Sequence, residues 1–400
     1  MKTAIILTST DPYLPKPNLR ALREARSLKK AGFQVSFISW MKEDPPKEAY
    51  QPFQVYRIIR NTSSLGSPLR IVEFWSISRH MRKAIVERRP DIIIAHDIYT
   101  LKAGSDAARF LGIPLLYDSH EDWPELIGEN SHLESIIASK MESRALNRCL
   151  SAVVSPCETI AEKFRHNRKS VVLYNAGETP RLLDGMKTDG QRTIGYTGST
   201  EQLKKGNMGE VLLQAMLLLK LHYPPIRLLI AGGPKEDADA LRKQAQVLGL
   251  SQSVTIMGPL PASQMASIYS TMDLGLILLD NRTTYVNSLP NKLFAYMAHG
   301  VPVLAPNYPE IGNVINDSDC GWTFSMPIDA GELARVISDA LDLVLLPAFS
   351  TIGLNGRMAF IYDYSWEVQE PLFLGLVQAL LTEAHQQRSN LLNLDRSCVS

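Results

Sequence analysis

The chain has 400 residues, of which 45% are hydrophobic and 21% are charged, as in an ordinary globular protein. This composition excludes a disordered chain, a collagen-like repeat and a small disulfide-stabilised domain. The 42 lysines and arginines almost balance the 41 aspartates and glutamates, and a net charge of +1 argues against a nucleic acid partner held by a basic face. At about 150 residues per domain, the length predicts two or three domains.

The four cysteines are scattered, and none belongs to a C-x-x-C pair or stands at zinc-site spacing from histidines. We therefore expect free thiols in a reducing compartment and no metal site. The first residues contain too short an apolar segment for a signal peptide, and no segment approaches the roughly 20 apolar residues of a membrane span. The sequence predicts a cytoplasmic protein.

In the first half of the chain, short β-branched segments alternate with amphipathic ones, which predicts a parallel sheet with helices on both faces. The helix after the first strand carries Leu19, Leu22, Ala25 and Leu28 on one face and ends near Gly32. The predicted strands are 3–8, 34–39, 54–58, 91–95, 114–117, 152–155 and 171–174.

A second alternating series begins near residue 193, after a segment (179–191) that is rich in Gly, Pro, Asp and Lys and is typical of a linker. Residues 366–385 predict a further amphipathic helix, followed by a polar tail without regular structure. Neither series contains G-x-G-x-x-G or a P-loop, which argues against a dinucleotide oxidoreductase and an NTPase. The predicted strands of this series are 193–197, 227–231, 254–257, 275–279 and 302–305.

Polar side chains follow two neighbouring strands of the first predicted sheet. One strand leads into His96 and Asp97, and the next leads into the segment DSHED at residues 118–122. Because ligands of open parallel sheets bind beyond the carboxyl ends of the strands, we expect these groups to converge, with His120 as the strongest candidate. The alternative is that Asp118 and Ser119 only cap the following helix.

Three loops of the second series have the residue types of a phosphate site. Glycine lets the backbone approach a phosphate closely, and a helix start offers unpaired amides to an anion. Glycine turns also serve plain tight connections, so each loop alone has that alternative. The loops contain Gly198 and Ser199 with Lys205 beyond them, Gly232 and Gly233, and residues 280–289 followed by Pro290, Asn291 and Lys292.

Seven segments of the chain, by their order and spacing along the sequence, resemble the retaining glycosyltransferases of family 4. The strongest is LPNKLFAYMAHGVPVLA, which begins at Leu289. The resemblance implies the GT-B fold, an α/β architecture of two facing Rossmann-like doubly wound parallel sheets with a C-terminal helix that crosses back to the first domain. The other segments are EARSLKKAGFQV at Glu24, PDIIIAHD at Pro90, YDSHE at Tyr117, GYTG at Gly195, VTIMG at Val254 and YSWE at Tyr364.

On this resemblance, residues 1–178 form the acceptor domain, 179–191 the linker, 192–363 the donor domain, and 364–400 the crossover helix and tail. The implied activity is hexosyl transfer with retention from a UDP- or GDP-linked sugar to a glycan or lipid-linked acceptor, in surface polysaccharide or glycolipid biosynthesis. No cofactor and no metal ion are implied.

The resemblance also assigns residues. His120 would meet the donor sugar, with Asp97 beside it, and Lys205 would neutralise the diphosphate, whose charge grows as it leaves. The full set expected to bind the nucleotide sugar is Gly198, Ser199, Lys205, Gly232, Gly233, Leu289, Asn291, Lys292 and Ala295.

Three positions depart from the family pattern. Asn287 and Ala295 stand where most members carry glutamates eight positions apart, and Ser199 stands where an arginine is common. Two alternatives therefore stay open. One is a catalytically impaired GT-B protein that serves as a scaffold or binding partner. The other is a nucleotide-sugar epimerase, with acid and base carboxylates among Asp97, Asp118, Glu121 and Asp122.

Residues 69–89 combine aromatic and basic side chains at helical spacing. A basic amphipathic helix predicts peripheral contact with an anionic membrane, here at the inner membrane face, whereas the alternative is an ordinary outer helix of the domain. The side chains concerned are Phe74, Trp75 and Ile77 with Arg70, Arg79, Arg82, Lys83, Arg88 and Arg89.

Overall fold

A computed structural model of the protein describes residues 1–13, 17–41, 52–59, 67–166, 169–182, 191–222, 225–346 and 351–397. The chain divides into two compact units. Unit 1 comprises Met1–Asn175 with Gln369–Ser400, and unit 2 comprises Ala176–Val368.

Unit 1 is an α/β sandwich around one parallel sheet of seven strands. In chain order its elements are β1 (Thr3–Thr8), α1 (Leu19–Lys30), β2 (Gln34–Met41), β3 (Gln54–Ile59), α2 (Ser67–Arg88), β4 (Ile92–His96), α3 (Asp97–Leu111), β5 (Leu115–Asp118), α4 (Trp123–Gly128), α5 (His132–Leu146), β6 (Ser151–Ser155), α6 (Glu158–Arg165) and β7 (Lys169–Val172).

The strand order of unit 1 is β3-β2-β1-β4-β5-β6-β7, with every neighbouring pair parallel. The central strand β4 is buried along its whole length. Since a strand covered on both faces needs a nearly continuous apolar segment, this explains the run of isoleucines in β4. The order reverses direction between β1 and β4, and at such a switch point the chain leaves room for ligands at the carboxyl edge.

Unit 2 has a second parallel sheet, of six strands in the order β10-β9-β8-β11-β12-β13. Its elements are β8 (Arg192–Thr197), α7 (Thr200–Lys204), α8 (Met208–His222), β9 (Ile226–Ala231), α9 (Lys235–Val247), β10 (Val254–Gly258), α10 (Ala262–Tyr269), β11 (Leu274–Leu276), α11 (Thr283–Val286), α12 (Asn291–Ala298), β12 (Val303–Pro306), α13 (Pro309–Ser318), β13 (Gly321–Phe324), α14 (Ala330–Leu345) and α15 (Ile352–Ala359). The switch in strand order lies between β8 and β11.

The last helix, α16 (Trp366–Ser397), begins in unit 2 and joins unit 1 from Gln369 onward. Its side chains bond to several elements of unit 1. Glu383 pairs with Lys169 at 2.7 Å, and Arg388 donates to the carbonyl of Gly112 at 2.7 Å. The crossover predicted from the sequence is therefore present.

The structure departs from the predicted elements at three places. The tail after Gln386, expected to lack regular structure, continues α16 to Ser397, and Arg388 attaches this part to unit 1. Strand β13 was not predicted, because its sequence GWTF contains no Val, Ile or Leu. Leu19, predicted on the buried face of α1, is 54% exposed, whereas the charged residues Arg20 and Glu24 of the same helix are buried.

Candidate functional site

The carboxyl edge of β4 and β5 in unit 1 brings four of the predicted site residues together. His96 ends β4 and Asp97 begins α3, while Asp118 ends β5 and His120 follows it two residues later. Asp97 adopts a backbone φ of +64°, which L residues seldom occupy and which is common at functional sites. The convergence predicted from the strand ends is therefore observed.

Asp118 lies at the centre of this cluster and contacts three of its members. Its Oδ2 atom accepts from Arg20 Nε at 2.6 Å and lies 3.2 Å from His120 Nε2 and 3.3 Å from His96 Nδ1. Although burial opposes the charged form, the Arg20 guanidinium and His120 hold the pKa of Asp118 well below its usual range. At neutral pH a charged carboxylate thus faces both histidines.

Both ring nitrogens of His120 face carboxylates. Nε2 faces Asp118, and Nδ1 lies 3.4 Å from Asp97 Oδ1. Burial disfavours the charged ring, but Asp118 and then Asp97 outweigh it and raise the pKa of His120 to about 9. The side chain is 20% exposed, so at neutral pH it offers an imidazolium cation at the edge of the sheet.

The cluster includes two residues that sequence analysis missed, Arg20 and Glu24 of α1. Glu24 Oε2 lies 3.0 Å from His96 Nε2, and both side chains are fully buried. Burial raises the pKa of Glu24, while His96 opposes the rise. Their spacing of four places both on one side of α1, but charged side chains on a helix usually face solvent, so the sequence pattern gave no signal of their burial.

The atoms of His96, Asp118 and His120 lie close enough together to surround a metal ion. However, Arg20 already donates to the Asp118 oxygen that would be a ligand. A divalent cation there would lie beside a guanidinium group, and the repulsion makes these residues a poor metal site.

The remaining residues of the DSHED segment have different roles. Asp122, not Asp118 or Ser119, caps α4, because its side chain accepts from the Glu125 amide. The alternative of simple capping by Asp118 and Ser119 is therefore wrong. Burial raises the pKa of Glu121 to about 7, so this carboxyl group can carry a proton near neutrality.

In unit 2, the predicted glycine loops pack directly against one another at the carboxyl edge of the sheet. Gly198 and Gly232 have φ values of +120° and +144°. A Cβ atom on Gly232 would lie 1.7 Å from the Gly198 carbonyl oxygen, and one on Gly233 would lie 2.6 Å from Pro259. These turns therefore require glycine for close backbone approach.

Lys292, the second residue of α12, is buried beside the first of these turns. Its ammonium group lies 3.9 Å from the centre of the Tyr196 ring and donates to Gln202 Oε1 at 3.1 Å. A Cβ atom on Gly198 would lie 3.3 Å from the same ammonium nitrogen. No carboxylate among the described residues pairs with it, and burial lowers the pKa of Lys292 to about 7.

The other predicted donor-site residues lie next to Lys292 in the sequence or in the first loop of unit 2. Asn291 begins α12 and is exposed, Leu289 is buried before it, and Ala295 lies one turn later, half-buried. Ser199 is half-buried, and its carbonyl accepts from the Tyr196 hydroxyl at 3.0 Å. Lys205 opens a single turn of 3-10 helix, but its side chain lies outside the described residues.

The predicted amphipathic helix is α2, whose side chains are described from residue 73 onward. Ile77 faces the core, whereas Trp75 is 54% exposed. Next to α2, Phe110 of α3 is 64% exposed, with the Arg82 guanidinium 5.2 Å from its ring centre. Within the described ranges, no helix combines the length and apolar character that a membrane span requires.

Two family models match the chain, one in each half. The model described as Glycosyltransferase Family 4 matches residues 19–179, and the model described as Glycosyl transferases group 1 matches residues 191–342. Together they include both edges described above.

The chain is similar to several curated relatives. A D-inositol 3-phosphate glycosyltransferase of Corynebacterium urealyticum is 32% identical over 253 residues, which is 62% of this chain and 55% of the relative. One from Nocardia farcinica is 28% identical over 314 residues, 74% of this chain and 63% of the relative. The chain thus spans less than two thirds of the length of either relative.

Solved structures share the fold at low identity. Sucrose-phosphate synthase from Thermosynechococcus elongatus superposes with a TM-score of 0.72 at 15% identity, over 96% of this chain and 100% of that one. Anabaena HepE in complex with UDP-glucose gives a TM-score of 0.67 at 14% identity, over 95% of this chain and 100% of that one.

Proposed function

Because the chain belongs to the family 4-like glycosyltransferases of the GT-B fold, we propose that it transfers a sugar from a nucleotide-sugar donor to a hydroxyl acceptor, with retention at the anomeric carbon. In this proposal unit 2 binds the donor, and unit 1 binds the acceptor. The reaction uses no cofactor and no metal ion.

The observation that carries this proposal is the environment of Lys292. A lysine buried without a carboxylate partner among the described residues is costly unless an anion completes the site. The diphosphate of a nucleotide sugar supplies that anion, at the start of α12 and beside the Gly198 turn, where backbone amides also favour negative charge. Lys205 adds a second cation in this proposal.

The donor proposed here is a UDP sugar, with a GDP sugar as the competing choice. HepE, which shares the fold, was solved with UDP-glucose. The acceptor proposed is a phosphorylated polyol or a lipid-linked glycan of a surface glycolipid or polysaccharide. The relatives named for D-inositol 3-phosphate make that compound the first acceptor to test.

The chemistry follows from where charge develops. As the sugar–phosphate bond breaks, negative charge grows on the leaving diphosphate, and Lys292 with the α12 amides stabilises it. His120, held as an imidazolium by Asp118 and Asp97, donates a hydrogen bond at the sugar. The neighbouring Asp97, whose pKa burial raises, accepts the proton that the acceptor hydroxyl loses.

The experiment is a transfer assay with UDP-glucose, GDP-mannose and inositol 3-phosphate, in which the anomeric configuration of the product is read by NMR. We expect an α-configured product from an α-linked donor, and an inverted product would contradict retention. Donor consumption without acceptor would favour the epimerase alternative. Donor binding without any turnover would favour the scaffold alternative, to which Ala295 and Ser199 point.

Peripheral membrane contact at the inner face of a cytoplasmic membrane is a second proposal. Trp75 and Phe110 expose aromatic rings beside Arg79, Arg82 and Arg109 on two adjacent helices. Exposed rings insert at the headgroup level while arginines attract anionic lipid. Sedimentation with vesicles containing phosphatidylglycerol should retain the protein, whereas pure phosphatidylcholine vesicles should not; equal behaviour in both would reject this proposal.

A further inference from the structure

Three side chains of unit 1 form a continuous line from its interior to the edge of the sheet. Glu24 Oε2 lies 3.0 Å from Nε2 of His96, and Nδ1 of His96 lies 2.9 Å from Nε2 of His120. Glu24 and His96 are fully buried, and only His120 reaches solvent. The shortest described route from Glu24 to the exposed ring of His120 therefore runs through His96.

The line has a chemical direction. A neutral imidazole donates from one ring nitrogen and accepts at the other, so the partner of one nitrogen decides the role of the second. The Glu24 carboxylate attracts the ring proton of His96 to Nε2, which leaves Nδ1 of His96 as an acceptor. The proton between the two rings must then lie on Nε2 of His120.

We infer that Glu24 is a positioning residue that, through His96, fixes the proton on Nε2 of His120 and so keeps this ring protonated and oriented toward the substrate. Only the catalytic consequence rests on the proposed transferase function. The arrangement of the ring protons is a property of unit 1 alone.

Packing alone does not account for Glu24. Its two carboxylate oxygens are buried, and the shortest ion-pair contact that the described residues make with them is the 3.0 Å approach of Oε2 to His96 Nε2. Arg20 Nε lies 3.6 Å from Oε1 but donates to Asp118 at 2.6 Å. An apolar residue of similar volume would fill the space without the cost of burying a charge, so the carboxylate serves its electrostatic contact with His96.

The titratable and charged groups around His120 come from four elements and the loop itself. Asp118 and Asp97 also favour the protonated ring, so removal of Glu24 should lower the pKa of His120 but leave it raised above that of a free histidine. These groups are Arg20 and Glu24 on α1, His96 on β4, Asp97 on α3, Asp118 on β5 and Glu121 in the following loop.

The test is a histidine ¹⁵N NMR titration of the full chain without ligand. In the wild type, we expect both nitrogens of His120 to carry protons at pH 7. In Glu24→Met, His96 is free to direct an N–H at His120, so the midpoint of the His120 titration should fall by about one pH unit or more. Glu24→Gln, whose amide oxygen can still accept from His96, should lie between the two.

The matched control is Glu142→Met. Glu142 is a buried carboxyl group of the same unit that bonds to the Tyr117 hydroxyl at 2.8 Å and contacts neither histidine. The Glu142→Met substitution should leave the His120 titration unchanged. An unchanged His120 titration in folded Glu24→Met would overturn the inference. If that variant does not fold, unchanged His120 titrations in the two single variants Glu24→Gln and His96→Gln would overturn it.

A transfer assay adds the catalytic readout. Since Glu24 acts on His120 and not on the nucleotide, Glu24→Met should lower kcat at least ~10-fold and change the donor KM less than ~2-fold. A protein without transferase activity would refute the proposed function, whereas the NMR titration would still decide the role of Glu24. Equal kcat in wild type and Glu24→Met would contradict the catalytic part.

Discussion

The ammonium group of Lys292 rests on the face of the Tyr196 ring, 3.9 Å from its centre, and its hydrogen bond to Gln202 is the polar contact that holds it there. Both partners are neutral, so they position the lysine without neutralising it. This leaves its charge available to an incoming anion, at the cost of stability in the absence of one.

Replacement of Lys292 by methionine should separate these two effects. Lys292→Met should raise the free energy of unfolding by about 1 to 3 kcal/mol, because an unpaired buried amine is replaced by an apolar chain of similar length. Urea denaturation measures this. Lys243→Met, on the exposed surface of α9, is the matched control and should change stability by less than about 0.5 kcal/mol. A destabilised Lys292→Met protein would mean that Lys292 has a partner that this account lacks.

The pH dependence of stability should carry the signature of the same lysine. Its pKa is about 7 in the folded protein and 10.5 in an exposed lysine, so between these values the unfolded chain binds more protons. Stability from this group must then rise as the pH rises from about 7 to 10. Subtracting the urea-denaturation profile of Lys292→Met from that of the wild type should reveal this rise, and a flat difference would argue against the buried lysine.

His120 should make a contribution to stability that falls as the pH rises, opposite to that of Lys292. Its pKa is about 9 when folded against 6.5 when exposed, so the folded protein binds more protons between these values. The stabilisation is complete below about pH 6.5 and is lost as the pH rises through 9. The difference between wild type and His120→Gln should therefore decline over this range, and a difference that grows with pH would exclude the protonated ring.

The backbone contact between the two glycine turns predicts a large effect of one methyl group. Gly232→Ala would place its Cβ 1.7 Å from a carbonyl oxygen, and the required shift plus the positive φ should cost at least about 3 kcal/mol. Gly249 also has a positive φ, but nothing lies within 4 Å of its Cβ position. Gly249→Ala should therefore cost only about 1 kcal/mol. Equal losses of stability for the two variants in thermal denaturation would show that the positive φ alone, and not the steric contact, determines the cost of the substitution.

Most of the fold could be predicted because its signals are local. Buried parallel strands are rich in aliphatic residues, and each of the twelve predicted strands contains at least one Val, Ile or Leu. Strand β13 was missed because its four residues, GWTF, include no Val, Ile or Leu, and because it pairs on one side only, with β12. Its position depends on its neighbour, which periodicity does not detect.

The candidate site was predictable only as far as the topology defines it. The strand-end rule placed His96, Asp97, Asp118 and His120 at one edge without knowledge of side-chain contacts. Arg20 was missed because its partner Asp118 lies 98 positions away in the sequence. In the same way, no sequence pattern tells that Lys292 turns inward toward Tyr196 instead of outward to solvent.

The most direct test of the account is a calorimetric titration of UDP and UDP-glucose into wild type, Lys292→Met and the Lys243→Met control. We predict saturable binding to the wild type and the control, and at least a ~10-fold weaker affinity for Lys292→Met, since a charge-assisted contact to phosphate contributes about 1.5 to 3 kcal/mol. Equal affinity of all three proteins would contradict the donor site assigned to Lys292. Absence of binding to the folded wild type by UDP, GDP and their sugar conjugates alike would contradict the proposed function itself.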